Sequence, residues 1–182
     1  KFAHAYPPEP AAAAVDTAVE LLLNCERPVA VVGGGGRSAA ARESIRNMCE
    51  RWEIPVVTSP NGRGALAEDH PLCLGHAGRF GQAHASETLK EADLVLSLGC
   101  RLDDLTTHNW SLLNQDQAII QVDIEASMIA QNWKVDLAIV GDAGAFSKKL
   151  SEKFRDPAAP FWNLRPKAED RLAKRKYFYE IY

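Results

Sequence analysis

The chain has no long apolar run, no block of like charge, no paired cysteine motif and no phosphate-loop lysine, and each absence removes a class of function. No apolar stretch approaches the roughly 20 residues needed to span a bilayer, and the N-terminus lacks the charged-then-apolar layout of a signal peptide. The expected compartment is therefore cytoplasmic. A formal net charge of -3, spread without clustering, gives no electrostatic footprint for nucleic acid or a membrane surface. The four cysteines, Cys25, Cys49, Cys73 and Cys100, are almost evenly spaced. They form no C-x-x-C pair and find no histidine at ligand spacing beyond the isolated Cys73 and His76, so zinc is not expected. Each lies in or beside an apolar segment and reads as a small buried thiol. His4, His70, His76, His84 and His108 are scattered and carry no catalytic pattern.

What remains is ample for one globular domain: 182 residues, 46% of them hydrophobic. The most informative stretch is Arg27-Pro28-Val29-Ala30-Val31-Val32, an apolar run that stops at Gly33-Gly34-Gly35-Gly36. It reads as a buried strand turning into a helix. Glycines there let the backbone approach a ligand, and the first amides of the helix are donors for an anion. Gly34, Gly36 and Ala39 fit the G-x-G-x-x-G/A spacing of a dinucleotide fold, although the same residues also suit a plain tight turn. No Lys-Ser or Lys-Thr follows, which excludes a P-loop. A nicotinamide site wants an acid about 20 residues further on, at the end of the second strand. Thr58 and Ser59 stand there instead.

Periodicity divides the rest. Residues 1–10, with Pro7, Pro8 and Pro10, read as a linker. Val15, Ala18, Val19, Leu22 and Leu23 mark a helix over 11–24. Strands are expected at 28–32, 54–58, 93–98, 118–122 and 137–140, with helices over 38–51, 83–91 and 143–154. Between 59 and 81 the glycines recur too often for regular structure, so a long irregular segment is expected, of the kind that carries function. Residues 156–182, proline-broken and then charged and aromatic, read as a connector that packs on another domain, or as a terminal helix folded back on this one.

Short strands apolar on both faces and alternating with helices belong in a doubly wound α/β domain with a covered parallel sheet. Its ligand crevice lies outside the carboxyl ends of the strands. Gly33–Gly36, Thr58–Asn61, Gly99–Asp104, Asp123–Glu125 and Gly141–Asp142 all fall there. An arginine with glycines suits a pyrophosphate, and strand-end carboxylates suit ribose hydroxyls or a ring amine. Asp123 and Asp142 equally suit simple helix caps, and Asp104 and Glu125 solvated loop acids.

Six pieces in order carry a family resemblance: Arg27-Pro28-Val29 with Gly33-Gly34-Gly35; Ile54-Pro55-Val56 with Gly62-Arg63-Gly64; Asp69-His70-Pro71; Ala92-Asp93-Leu94-Val95; Gly99-Cys100-Arg101-Leu102-Asp103-Asp104; and Val122-Asp123-Ile124-Glu125. Over about residues 7–150 the chain resembles the central domain of thiamine diphosphate-dependent enzymes, nearest the acetolactate synthase large subunit group. The resemblance implies a Rossmann-like sheet of about six parallel strands within a three-domain parent. That parent is a thiamine diphosphate- and magnesium-dependent 2-oxo acid decarboxylase or carboligase, a lyase or transferase. Its catalytic glutamate and its Gly-Asp-Gly magnesium motif lie in the N- and C-terminal domains. Gly141-Asp142-Ala143 is not that motif, so residues 11–155 on their own should be inactive.

In acetolactate synthases the central domain holds FAD, and in other relatives ADP or nothing. Positions matching the family's FAD contacts are Gly34, Gly35, Ser59, Pro60, Asn61, Gly78, Gly99, Arg101, Asp103, Asp123, Ile124 and Asp142. Leu105 replaces a second arginine, and Ser59-Pro60-Asn61 replaces Thr-Leu-Met, which weakens FAD more than an adenine nucleotide. The implied partners are the two flanking domains and further copies in a homo-oligomer. The rival expectation is a free-standing, non-catalytic nucleotide-binding module of the same fold.

Overall fold

The computed structural model describes residues 6–157, 161–163 and 169. Six strands form one sheet in the order β3-β2-β1-β4-β5-β6, all of whose pairings are parallel. In chain order the elements are α1 (Ala12–Leu23), β1 (Pro28–Val32), α2 (Ala39–Trp52), β2 (Val56–Thr58), β3 (Cys73–His76), α3 (Ala83–Glu91), β4 (Leu94–Leu98), α4 (Asp104–Thr107), β5 (Ala118–Asp123), β6 (Leu137–Val140) and α5 (Ala143–Glu152). Strand order reverses between β1 and β4, which makes their carboxyl ends the topological switch point.

The alternation of the strands divides the core between two faces. Ala30, Val32, Leu94, Leu96, Leu98, Ile120 and Val122 join Val15, Leu22, Ile45, Trp52 and Phe146 of α1, α2 and α5. Val29, Val31, Val57, Val95 and Ile119 turn the other way, toward Ala85 and Leu89 of α3 and the segment bearing Leu112 and Leu113. At the amino ends of the strands, the Asp93 carboxylate accepts the amides of Glu26 (2.9 Å) and Arg27 (2.8 Å), joining the entry to β1 to β4. The indole of Trp162 donates to the Pro28 carbonyl at 2.8 Å on that same side.

Three expectations need adjustment. The segment 59–81 is not irregular throughout: Cys73–His76 form the edge strand β3, paired with β2 through a register shift. The second strand begins at Val56 rather than 54, because Glu53 closes α2 in the left-handed region (φ 54°) and the Ile54 amide returns to the Cys49 carbonyl. β6 is not covered on both sides, since Val140 is 44% exposed at the sheet edge. Most of the expected connector, 156–182, lies outside the described residues, as do residues 1–5.

One short segment holds three left-handed residues in a row. After α4, His108, Asn109 and Trp110 are consecutive left-handed residues with φ of 50°, 54° and 60°. Such a conformation costs an L-residue about 1–2 kcal/mol. It is held by hydrogen bonds from the Asn109 amide to the Asp104 carbonyl (2.8 Å) and from the Trp110 amide to the Thr107 hydroxyl (3.0 Å).

Candidate functional site at the carboxyl ends of the strands

Two adjoining cavities open where β1, β4 and β5 end. The larger, about 420 Å³, is lined by the glycine turn, Ser59, Asn61, Gly99 to Arg101, Asp103, Thr106, Asp123 to Glu125 and Met128. The smaller, about 220 Å³, continues past Gly35, Gly99, Asp123 and Ile124 to Gly141 and Asp142. Of the twelve residues singled out from the sequence, ten line one or both cavities: Gly34, Gly35, Ser59, Asn61, Gly99, Arg101, Asp103, Asp123, Ile124 and Asp142. Pro60 and Gly78 do not. Pro60 opens the 3-10 turn after Ser59 and faces solvent, while Gly78 is buried under α4, where an added Cβ would lie 1.9 Å from the Leu105 carbonyl oxygen.

The glycines of the first turn serve different ends. A Cβ on Gly33 would sit 2.2 Å from the Gly99 carbonyl oxygen and 2.6 Å from Cys100 Cα. One on Gly35 would lie 2.9 Å from Gly99 Cα, and one on Gly99, whose φ is +56°, would lie 2.6 Å from Gly35 Cα. These residues are glycine because two backbone turns pack directly on each other. Gly34 differs. A Cβ there meets nothing nearer than Asn61 at 3.8 Å, an ordinary contact, so packing within the domain does not require a glycine at this position.

The amides divide the same way. Gly33 donates to Leu98, Gly35 to Gly99, Gly36 to Gly33 and Arg37 to Gly34. The exposed Gly34 N–H has no acceptor among the described residues.

Arg101 is placed by its backbone. The Gly99 amide donates to the Val122 carbonyl at 2.8 Å, and the Cys100 carbonyl accepts from the Ser97 hydroxyl (2.8 Å) and the Gln121 side-chain amide (3.1 Å). The Asn132 side chain donates to the Arg101 carbonyl at 2.9 Å. The guanidinium itself is exposed and makes no ion pair among the described residues. Sequence reading missed Ser97, Gln121 and Asn132. The one available signal was a polar residue inside each of two otherwise apolar central strands.

Each carboxylate is oriented by a local backbone bond. Asp103 caps α4, accepting from the Thr106 amide (2.9 Å) and hydroxyl (2.7 Å). Asp142 caps α5 through the Ala145 amide (2.9 Å), Asp123 accepts from the Glu125 amide (3.0 Å), and Glu125 accepts from the Ser127 hydroxyl (2.9 Å). Capping is therefore real at Asp142 and Asp103. In each case one oxygen is engaged, which fixes the carboxylate and leaves the other oxygen as an acceptor. Thr106 and Met128 also line the cavity and were not singled out from the sequence. The pairing of Asp103 with a threonine three residues on was the cue for Thr106.

The remaining groups are chemically quiet. Burial pushes the Cys100 thiol up to about 11, so it is no nucleophile near neutral pH. Among the described residues no group of three or more His, Cys, Asp or Glu side chains could hold a metal ion, and no helix is long and apolar enough to cross a membrane. A further cavity of about 510 Å³ lies along α2 beside Arg42, Glu43, Arg46 and Gly64 to Ala67. It sits away from the strand ends, and Arg46 approaches Glu50 of its own helix.

Comparison with known proteins identifies the family. The family model described as thiamine pyrophosphate enzyme, central domain, matches residues 15–150. The acetolactate synthase large subunit of Parasynechococcus marenigrum is 35% identical over 146 residues, covering 80% of this chain and 24% of that protein. A probable acetolactate synthase large subunit of Methanococcus aeolicus is 35% identical over 136 residues, covering 75% and 23%. The acetolactate synthase isozyme 3 large subunit of Escherichia coli is 30% identical over 145 residues, covering 80% and 25%. The chain thus spans about a quarter of the length of these relatives. On the family match and these identities, the chain belongs to the thiamine pyrophosphate enzyme central-domain family.

Proposed function

We propose that this chain is the structural and nucleotide-binding middle of a larger thiamine diphosphate- and magnesium-dependent enzyme of the acetolactate synthase kind, a transferase or lyase acting on 2-oxo acids in the cytoplasm. The thiamine cofactor, when bound in the parent, supplies carbanion chemistry to a 2-oxo acid such as pyruvate. Nothing in the strand-end crevice suits that work, so the magnesium and thiamine sites belong to the N- and C-terminal domains, and this chain alone is inactive.

The reading of the crevice rests on Gly34. It is the one glycine of the first turn that internal packing does not call for, its amide is free, and Arg101 lines the same cavity. That set fits the diphosphate of ADP or FAD: the Gly34 backbone approaches it, and Arg101 makes a charge-assisted contact. Asp123 and Glu125, each with an oxygen to spare, take ribose hydroxyls or a ring amine.

Calorimetric titration with ADP and with FAD tests this. The isolated chain should bind weakly, and Arg101→Ala should weaken binding by about tenfold to a hundredfold, or roughly 1.4–2.8 kcal/mol. Equal binding by both proteins would remove Arg101 from the site. A parallel incubation with pyruvate, thiamine diphosphate and magnesium should release no carbon dioxide above background, and turnover would mean that catalytic groups lie within this chain.

A further inference from the structure

The arm that leads into α1 is fastened to the wall of the strand-end crevice. The Pro8 carbonyl accepts the Asp142 amide at 2.9 Å. Pro10 is buried against Gly141, where an added Cβ would lie 3.0 Å from the proline Cβ. Lys149 of α5 holds the same arm twice, through an ion pair to Glu9 at 2.9 Å and a hydrogen bond to the Pro10 carbonyl at 3.2 Å. One turn further along α5, Lys153 pairs with Asp16 of α1. Residues 6–9 are exposed, so polar contacts rather than apolar burial keep them in place.

Gly141 and Asp142 also line the smaller cavity, and they are pinned from two directions. The Gly141 amide donates to the carbonyl of Asp123, another residue of that cavity, at 2.9 Å, while the Asp142 amide donates to the arm. Asp142 caps α5 as well, so the bond to Pro8 fixes the backbone from which its carboxylate projects. We propose that residues 6–10 form a strap on the crevice wall: docked on α5, the arm holds Gly141 and Asp142 in the shape that a nucleotide fills, and a bound nucleotide holds the arm. The inference rests on the nucleotide reading of the crevice. Exposed ion pairs and single hydrogen bonds are weak in water, which keeps the docked arm close in free energy to a released one, and a ligand can shift such an equilibrium. Linkage makes the effect reciprocal, because the factor by which docking raises nucleotide affinity is the factor by which nucleotide favours docking. We expect about fivefold, the lower end of coupling between sites.

Two measurements on the full chain test this: ADP affinity by calorimetry, and hydrogen exchange at the Asp142 amide by nuclear magnetic resonance. Lys149→Met removes both lysine contacts, and Pro10→Gly removes the ring from Gly141; neither residue lines the two crevice cavities. Each variant should exchange the Asp142 amide faster without ADP and bind ADP about fivefold more weakly. Lys148→Met, which loses the same charge from an exposed site on α5, should bind within about twofold of wild type. Saturating ADP should slow Asp142 exchange in wild type by about fivefold. Thermal melts check that each variant is folded. If wild type binds ADP, and Lys149→Met and Pro10→Gly bind it no more weakly than Lys148→Met, the strap is overturned and the nucleotide site stands. Asp142 exchange that neither the two variants nor ADP alters overturns it as well. Failure of wild type to bind ADP at all overturns the nucleotide reading, and the strap with it.

Discussion

Replacing Gly33 by alanine should cost this domain far more than the same change one residue later. The added methyl at position 33 lands 2.2 Å from the Gly99 carbonyl oxygen and 2.6 Å from Cys100 Cα, both backbone. Neither can swing aside as a side-chain tip would. The Gly99–Cys100 turn is itself held by Ser97, Gln121 and the Val122 carbonyl, so relief means pushing β4 and β1 apart at their ends. Overpacking of a rigid site costs about 1–3 kcal/mol and occasionally more, and backbone on both sides argues for the upper end. Set against about 5–15 kcal/mol of total stability, a loss near 3 kcal/mol should lower Tm by about 6–12 °C for a domain of this size. At Gly34 the nearest atom is 3.8 Å from the added methyl and φ lies outside the left-handed region. Gly34→Ala should be neutral or stabilise by about 0.4–1 kcal/mol through the unfolded chain. Urea melts followed by far-ultraviolet circular dichroism would measure both. Equal losses at the two positions would refute the division of the glycines into packed and unpacked.

Four further outcomes follow from particular contacts. Asp142→Ala should cost about 1 kcal/mol, because it removes the cap on the Ala145 amide at the start of α5, and a urea midpoint unchanged from wild type would dismiss that role. Trp162→Phe should cost about 1 kcal/mol by losing the indole bond to the Pro28 carbonyl, and Trp162→Ala should cost more, since the ring also packs on the core cluster beneath α3. Burial raises the Cys100 thiol from 9.0 to about 11 and the Cys25 thiol to about 12, so the unfolded chain ionises first as pH rises. Stability from these thiols is intact below about pH 9 and falls above it, toward the folded values, a trend that Cys25→Ala and Cys100→Ala should flatten in melts taken between about pH 8 and 10. A thiol reagent at neutral pH should modify buried Cys49, Cys73 and Cys100 only as fast as the fold opens, so rapid modification of the native protein would contradict their burial.

Which parts of this were legible in the sequence follows from how strong the local signal was. β1 was visible to the residue because an unbroken apolar run ends at a glycine cluster, and α2 because Ser38 caps it through the Ala41 amide. β3 was hidden. It is four residues long, carries Gly75 at φ +87°, and pairs with β2 out of register, so neither period nor composition marks it. The start of β2 was misplaced because Ile54 and Pro55 are as buried as the strand, although the Ile54 amide turns back to the Cys49 carbonyl of α2. Ten of the site residues could be grouped from strand ends alone, since parallel topology gathers those ends in one place. Pro60 and Gly78 matched family FAD contacts yet stand outside the cavities, Pro60 facing solvent in the turn that Ser59 caps and Gly78 packed beneath α4. Ser97 and Gln121 offered only the cue of a polar residue in an apolar strand, and Asn132 offered none, because the carbonyls that Gln121 and Asn132 reach lie 21 and 31 residues away in the chain.

The central claim is that a nucleotide diphosphate binds at the strand ends and not in the larger cavity along α2. Amide chemical-shift mapping by nuclear magnetic resonance, with ADP titrated into the isotope-labelled chain, tests it residue by residue. The account predicts the largest saturable shifts at Gly34, Gly35, Gly99 and Arg101, with those of Gly64, Ala65 and Ala67 unmoved. Shifts centred on Arg42, Arg46 and Gly64, with the glycine turn unchanged, would contradict it.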